Sequence, residues 1–149
     1  MSQPFKVACF FSASIFALMG LLPGCASRVV IGGGAKSPDN AVYLSVDVAT
    51  APGVPYDERG EKLVRISISQ RGAGNQSLLL QKDFKLIAAQ LDWDIKWLSP
   101  NRVSVELFEY PPGVSMHSDS ARNKTAPRVA VTSLSFARSE KDAAFKPVE

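Results

Sequence analysis

Apolar residues fall on every second position through most of this chain, in short runs separated by turn residues. Val42, Leu44, Val46 and Val48 alternate with Tyr43, Ser45, Asp47 and Ala49. Val64, Ile66 and Ile68 alternate with Arg65, Ser67 and Ser69, and Val103, Val105 and Leu107 with Ser104, Glu106 and Phe108. Successive strand residues point to opposite faces, so each run has one face for a core and one for water. Leu78 to Leu80 reads as another short strand, and Val129 to Phe136 as the last. The breaks between runs are rich in turn formers: Pro52, Gly53, Pro55 and Gly60; Gly72 and Gly74; Pro100-Asn101; Pro111-Pro112-Gly113.

One stretch fits two periods. Phe84, Ile87, Ala88, Leu91, Ile95 and Leu98 fit a helix face, while Ile87, Ala89, Leu91, Trp93, Ile95 and Trp97 fit a strand face. Strand is favoured because the alternation is unbroken and Ser99-Pro100-Asn101-Arg102 then turns the chain into a hairpin. The expectation is all-β: a small antiparallel sandwich of six or seven strands, immunoglobulin-like or transthyretin-like, after an N-terminal signal helix. The cysteine pair of immunoglobulins is absent, so architecture is expected and not family.

The first 24 residues read as a targeting segment. Lys6 is followed by an apolar stretch from Val7 to Leu22, and then by Leu22-Pro23-Gly24-Cys25. A charged start, an apolar core and small residues at its end make a signal peptide, and the core is short for a membrane span. Leu22, Pro23, Gly24 and Cys25 together resemble the lipobox of bacterial lipoproteins: an aliphatic residue, a variable one, a small one and cysteine. The resemblance covers the signal and cleavage site only. It implies diacylglycerol on the Cys25 thiol, cleavage before Cys25 and acylation of the new amine. Each buried methylene adds about 0.8 kcal/mol of membrane affinity, so two or three chains anchor firmly. In lipoproteins of this kind the next residue guides sorting, and Ala26 implies the outer membrane, periplasmic side. The inner membrane and the cell surface are the other destinations.

Cleavage would leave a chain that folds on its core alone. Of the two cysteines in 149 residues, Cys9 leaves with the signal and Cys25 carries lipid. Residues 25–40 read as the lipidated cysteine and a flexible tether through Gly32-Gly33-Gly34, with a short edge strand at Val29, Val30 and Ile31 as the alternative. Residues 41–138 are the β domain and 139–149 a charged tail, in which Ala143, Ala144 and Phe145 could dock. A chain starting near Ser37 is therefore expected to fold as a monomer. With 46% hydrophobic residues there is enough apolar side chain for a core. The formal charge of +3 falls to +2 without Lys6, too small and too dispersed for a nucleic-acid surface.

Candidate chemistry is sparse. His117 is the lone histidine and sits among Ser115, Ser118, Asp119 and Ser120, with neither a serine-nucleophile elbow nor a distant partner indicated. One histidine and one lipidated cysteine cannot make an ordinary zinc site, and no cofactor is expected. Asp92 and Asp94 share a strand face, but the rest of a calcium loop is missing, and a wetted face with Lys96 is the simpler reading. The glycine-rich segments lack a phosphate-loop lysine. Trp93 and Trp97 could form an aromatic platform, although core packing is their commoner fate. Arg122, Lys124 and Arg128 are candidate contacts for anionic groups.

The expected function is a non-enzymatic binding or assembly role in the periplasm. Its partners would be the membrane, through lipid at Cys25, and an envelope protein, reached through free sheet edges, the Pro111-Pro112-Gly113 loop or the basic stretch. The alternatives are a cell-wall hydrolase using Asp92, Asp94, Glu106 or Glu109, and an inhibitor of an envelope-attacking enzyme.

Overall fold

The computed structural model describes residues 30–71, 76–111, 114 and 126–148, and these form two antiparallel sheets of four strands with no helix. The first sheet runs in sequence order through β1 (Val30–Lys36), β2 (Val42–Thr50), β3 (Gly60–Arg71) and β4 (Gln76–Ala88). The second runs through β5 (Gln90–Ser99), β6 (Arg102–Tyr110), β7 (Val129–Ala137) and β8 (Lys146–Val148). The lipobox residues Leu22, Pro23, Gly24, Cys25 and Ala26 lie outside the described residues, as do His117, Arg122 and Lys124.

The alternation does what its period requires. Val42, Leu44, Val46 and Val48 of β2 and Val64, Ile66 and Ile68 of β3 are fully enclosed. They join Leu91, Val103, Val105, Leu107, Phe136 and Phe145 of the second sheet and tail in a single apolar cluster. At roughly 1.5–3 kcal/mol for each buried aliphatic or aromatic side chain, this cluster is the main source of stability.

Eight strands stand among the described residues where six or seven were expected, because residues 30–36 and 146–148 both join the sheets. Residues 30–36, read as part of a tether, instead pair with β2 over their whole length, from Val30 opposite Ala49 to Lys36 opposite Tyr43. Glycine gives no alternation to read; the neighbouring strand supplies the missing bulk. A Cβ on Gly34 would meet the Tyr43 ring and the Leu44 carbonyl oxygen, and one on Gly32 would meet the Asp47 carboxylate. At the other end, residues 146–148 pair with β7. Phe145 lies 3% exposed with its ring edge-on to Trp97, centroids 6.2 Å apart.

The turn from β1 to β2 is built by Ser37. Its backbone amide donates to the Val42 carbonyl at 2.8 Å, and its hydroxyl accepts from the Val42 amide at 3.0 Å. Asn40 takes a φ of 58°, the left-handed region that asparagine tolerates better than most residues.

The stretch from Phe84 to Leu98 is strand, divided between sheets at Ala89. Ile87 is 63% exposed and Leu91 fully buried, although both have the same parity. Ala88, Ala89 and Gln90 are buried in succession, which marks a corner and not a continuing strand. The Ala89 amide donates to the Glu109 carboxylate at 2.7 Å, so the corner leaves no unpaired donor there. The first sheet is also tied to the second by the β2–β3 loop: the Tyr56 hydroxyl donates to the Leu91 carbonyl at 2.7 Å, and Arg59 pairs with Glu109 at 2.8 Å.

Candidate functional site

The outward face of the second sheet gathers several of the polar residues singled out in the sequence. Alternation puts Asp92 and Asp94 of β5 together, opposite Phe108 and Glu106 of β6. Between β6 and β7 the register slips by one residue: Leu107 faces Thr132, and Phe108 faces Ala130. The extra residue, Val131, reverses which parity faces outward along the start of β7. It thereby puts Arg128, just before that strand, over the same face.

Arg128 is held from three sides. Its guanidinium donates to Asp92 Oδ2 at 3.0 Å and to Asp94 Oδ2 at 2.5 Å, and lies 3.8 Å from the centre of the Phe108 ring. The Tyr110 hydroxyl also donates to Asp92, at 3.0 Å. Hydrogen bonding to Asp94, the largest cause, raises the Arg128 pKa further above its usual value, while burial followed by the Asp92 interactions raises the Tyr110 phenol. The cluster satisfies itself. Arg128, a candidate anion contact in the sequence, is committed to two aspartates, and these aspartates share its guanidinium.

The remaining candidates separate. Glu109 is engaged with Arg59 and the Ala89 amide at the corner. Glu106 is exposed, with its side chain next to Asp94 across the strands. Trp93 and Trp97 turn inward and pack against the apolar cluster. The Trp93 ring lies 3.4 Å from where a Gly33 Cβ would stand, and the Trp97 indole donates to the Ala35 carbonyl at 3.4 Å. They are not a surface platform. Among the described residues, no three histidine, cysteine, aspartate or glutamate side chains are grouped to hold a metal.

Two features carried no sequence signal. Lys62 is fully enclosed on the core side of β3, where its parity places it in line with Val64 and Ile66. Its ammonium donates to the Glu58 carbonyl at 2.8 Å and lies 5.5 Å from the centre of the Tyr56 ring. Burial, the largest cause, pulls its pKa below the usual lysine value, and burial likewise raises the Tyr56 phenol. The β2–β3 loop is thus the cover of a buried cation. The second feature is a cleft of about 420 Å³ on the outward face of the same sheet, lined by Lys36, Asn40, Ala41, Tyr43, Ser69 and Gln76. Register explains part of it: Lys36 lies opposite Tyr43 and Tyr43 opposite Ser69, which brings residues 33 positions apart onto one row.

No family model matches this chain, and no match was found among the curated proteins or the solved structures.

Proposed function

We propose that this chain is a lipid-anchored envelope protein with a non-enzymatic binding or assembly role, held at the periplasmic side of an outer membrane by Cys25. We also propose that its two sheets are the layers of a small sandwich. Their sequential order, β1 to β4 and β5 to β8, is that of two meanders and departs from the interleaved order of the immunoglobulin fold.

The observation that supports a binding role best is the engagement of three of the four carboxylates that a hydrolase would use, with Glu106 standing exposed. Asp92 and Asp94 share Arg128, and Glu109 is fixed by Arg59 and a backbone amide. A general acid or base must be able to give and take a proton at the substrate, and a carboxylate locked to a guanidinium is poorly placed for either task. Position adds to this. A domain tethered at a membrane meets membrane partners at high effective concentration, so modest contacts suffice. With β1 starting at Val30, four residues separate Cys25 from the first described strand, which keeps the domain close to the bilayer surface.

Crosslinking in intact cells, followed by membrane fractionation and identification of captured partners, tests this role. A reproducible envelope partner in the outer-membrane fraction is the expected result. Turnover of a cell-wall substrate by the purified protein, abolished by Asp92→Asn or Glu106→Gln, would overturn it in favour of a hydrolase.

A further inference from the structure

Three cross-strand rows define the outward face of the first sheet near the β1–β2 turn. Lys36, Tyr43 and Ser69 form the first, Gly34, Ser45 and Ser67 the second, and Gly32, Asp47 and Arg65 the third. The cleft described above opens at the first row, beside the small Ser45 and Ser67 of the second, and forms a trough there.

The trough has an aromatic floor at one end. Gly34 has no side chain, and the Tyr43 ring lies over it: a Cβ there would collide with the Tyr43 hydroxyl and the ring carbon that bears it. Tyr43 remains 37% exposed, so part of the ring faces solvent. Around it are groups that both donate and accept. Gln76 donates through Nε2 to the Ser69 hydroxyl at 2.7 Å, which fixes its amide. Asn40 contributes a second amide from a turn held by Ser37. Among the described residues the side chains of Ser45 and Ser67 bond to no other, and no carboxylate pairs with Lys36. On the far side, Arg65 is committed to Asp83 by bonds of 2.9 and 2.7 Å, and Asp47 stands beside it.

We infer that this trough binds a carbohydrate bearing a carboxylate, an inference that rests on the binding role proposed above. A sugar ring presents an apolar C–H face, suited to a flat aromatic ring, and a rim of hydroxyls, suited to amides and serines that can both give and accept hydrogen bonds. The charges give the sugar a direction. Lys36 would pair with the carboxylate at the first row, and Asp47 repels it from the third. An extended peptide fits less well, because the backbone groups on a sheet face are already used in the ladder. A nucleic acid would need several cations, and among the described residues Lys36 is the one that lines this trough.

The test is calorimetric titration of the full-length protein, in a detergent without a sugar headgroup, with N-acetylmuramic acid, glucuronic acid and N-acetylglucosamine. Saturable binding of at least one acidic sugar, about tenfold tighter than the neutral one, is expected from a charge-assisted contact. Which acid binds distinguishes a cell-wall source from an acidic polysaccharide. Lys36→Gln should bring the acidic sugar to the level of the neutral one, and Tyr43→Leu should weaken both, with unchanged far-ultraviolet circular dichroism. Absence of saturable binding by any sugar, or binding indifferent to Lys36→Gln and Tyr43→Leu, overturns the inference. If sugars fail while an envelope protein is still captured in cells, the trough assignment falls and the binding role stands. If the protein is found in the cytosol, the envelope role falls, and the titration still decides the trough.

Discussion

A chain that begins at Ser37 should be far less stable than one that begins at Ala26. The shorter chain lacks β1, and with it the whole ladder to β2 from Val30 to Lys36. Ile31 and Ala35, on the inward side of that strand, lose their burial, and the Trp97 indole loses the Ala35 carbonyl. Half-buried Ile31 contributes less than the roughly 1.5–3 kcal/mol of a fully buried isoleucine, and each ladder bond adds roughly 0.5–1.5 kcal/mol net. A loss of about 5 kcal/mol is therefore expected, comparable with the entire stability of many small domains. Urea unfolding of the two chains, followed by tryptophan fluorescence, measures it directly. Trp93 and Trp97 both pack beside β1, so the native emission of the shorter chain should shift toward that of exposed indole. Equal midpoints would show that β1 is dispensable and that residues 30–36 act as a tether after all.

The next largest effect is expected at Arg128. Removing one partner of a buried ion pair costs about 3–5 kcal/mol, because the other charge is stranded. Here Asp94 keeps 37% of its side-chain surface in water, while Arg128 and Asp92 keep 16% and 20%. Solvent relieves part of the penalty, so Arg128→Ala should cost about 2 kcal/mol. Arg128→Lys should recover only part of that, since a single ammonium cannot reach both carboxylates as a planar fork does or stack as well on Phe108. Replacing Asp92 and Asp94 by asparagine in the Arg128→Met background should restore most of the loss by removing the stranded charges. Denaturant unfolding of the four proteins gives the comparison. An Arg128→Ala protein as stable as the parent would mean that the cluster contributes no more than an exposed pair.

These two predictions mark where the sequence stops being readable. The central strands β2, β3 and β6 were readable because side chains on both faces report the period. Strand β1 was not. Its glycines erase the alternation, and the Tyr43 and Asp47 side chains that cover them belong to another strand. The corner at Ala89 was hidden for a related reason. No glycine or proline marks it, and the apolar parity continues from Ile87 to Leu91 while the sheet beneath changes. The carboxylate of Glu109, twenty residues away, holds the bend.

Site residues divide in the same way. Parity alone puts Asp92 and Asp94 on one face, but their partner is 34 to 36 positions distant and reaches them through a bulge at Val131. Trp93 and Trp97 follow the common rule for an aromatic stripe and enter the core. The Tyr43 trough had no local signature, since it joins a turn, a glycine and four strands that only the register brings together.

The anchor is the claim on which the envelope role depends. Intact-mass measurement of the protein extracted from membranes, with radiolabelled palmitate supplied to the cells, tests it most directly. The expected result is a chain that starts at Cys25, carries a diacylglyceryl group and incorporates label that Cys25→Ala abolishes. A chain that still begins at Met1, or label that survives Cys25→Ala, would contradict it.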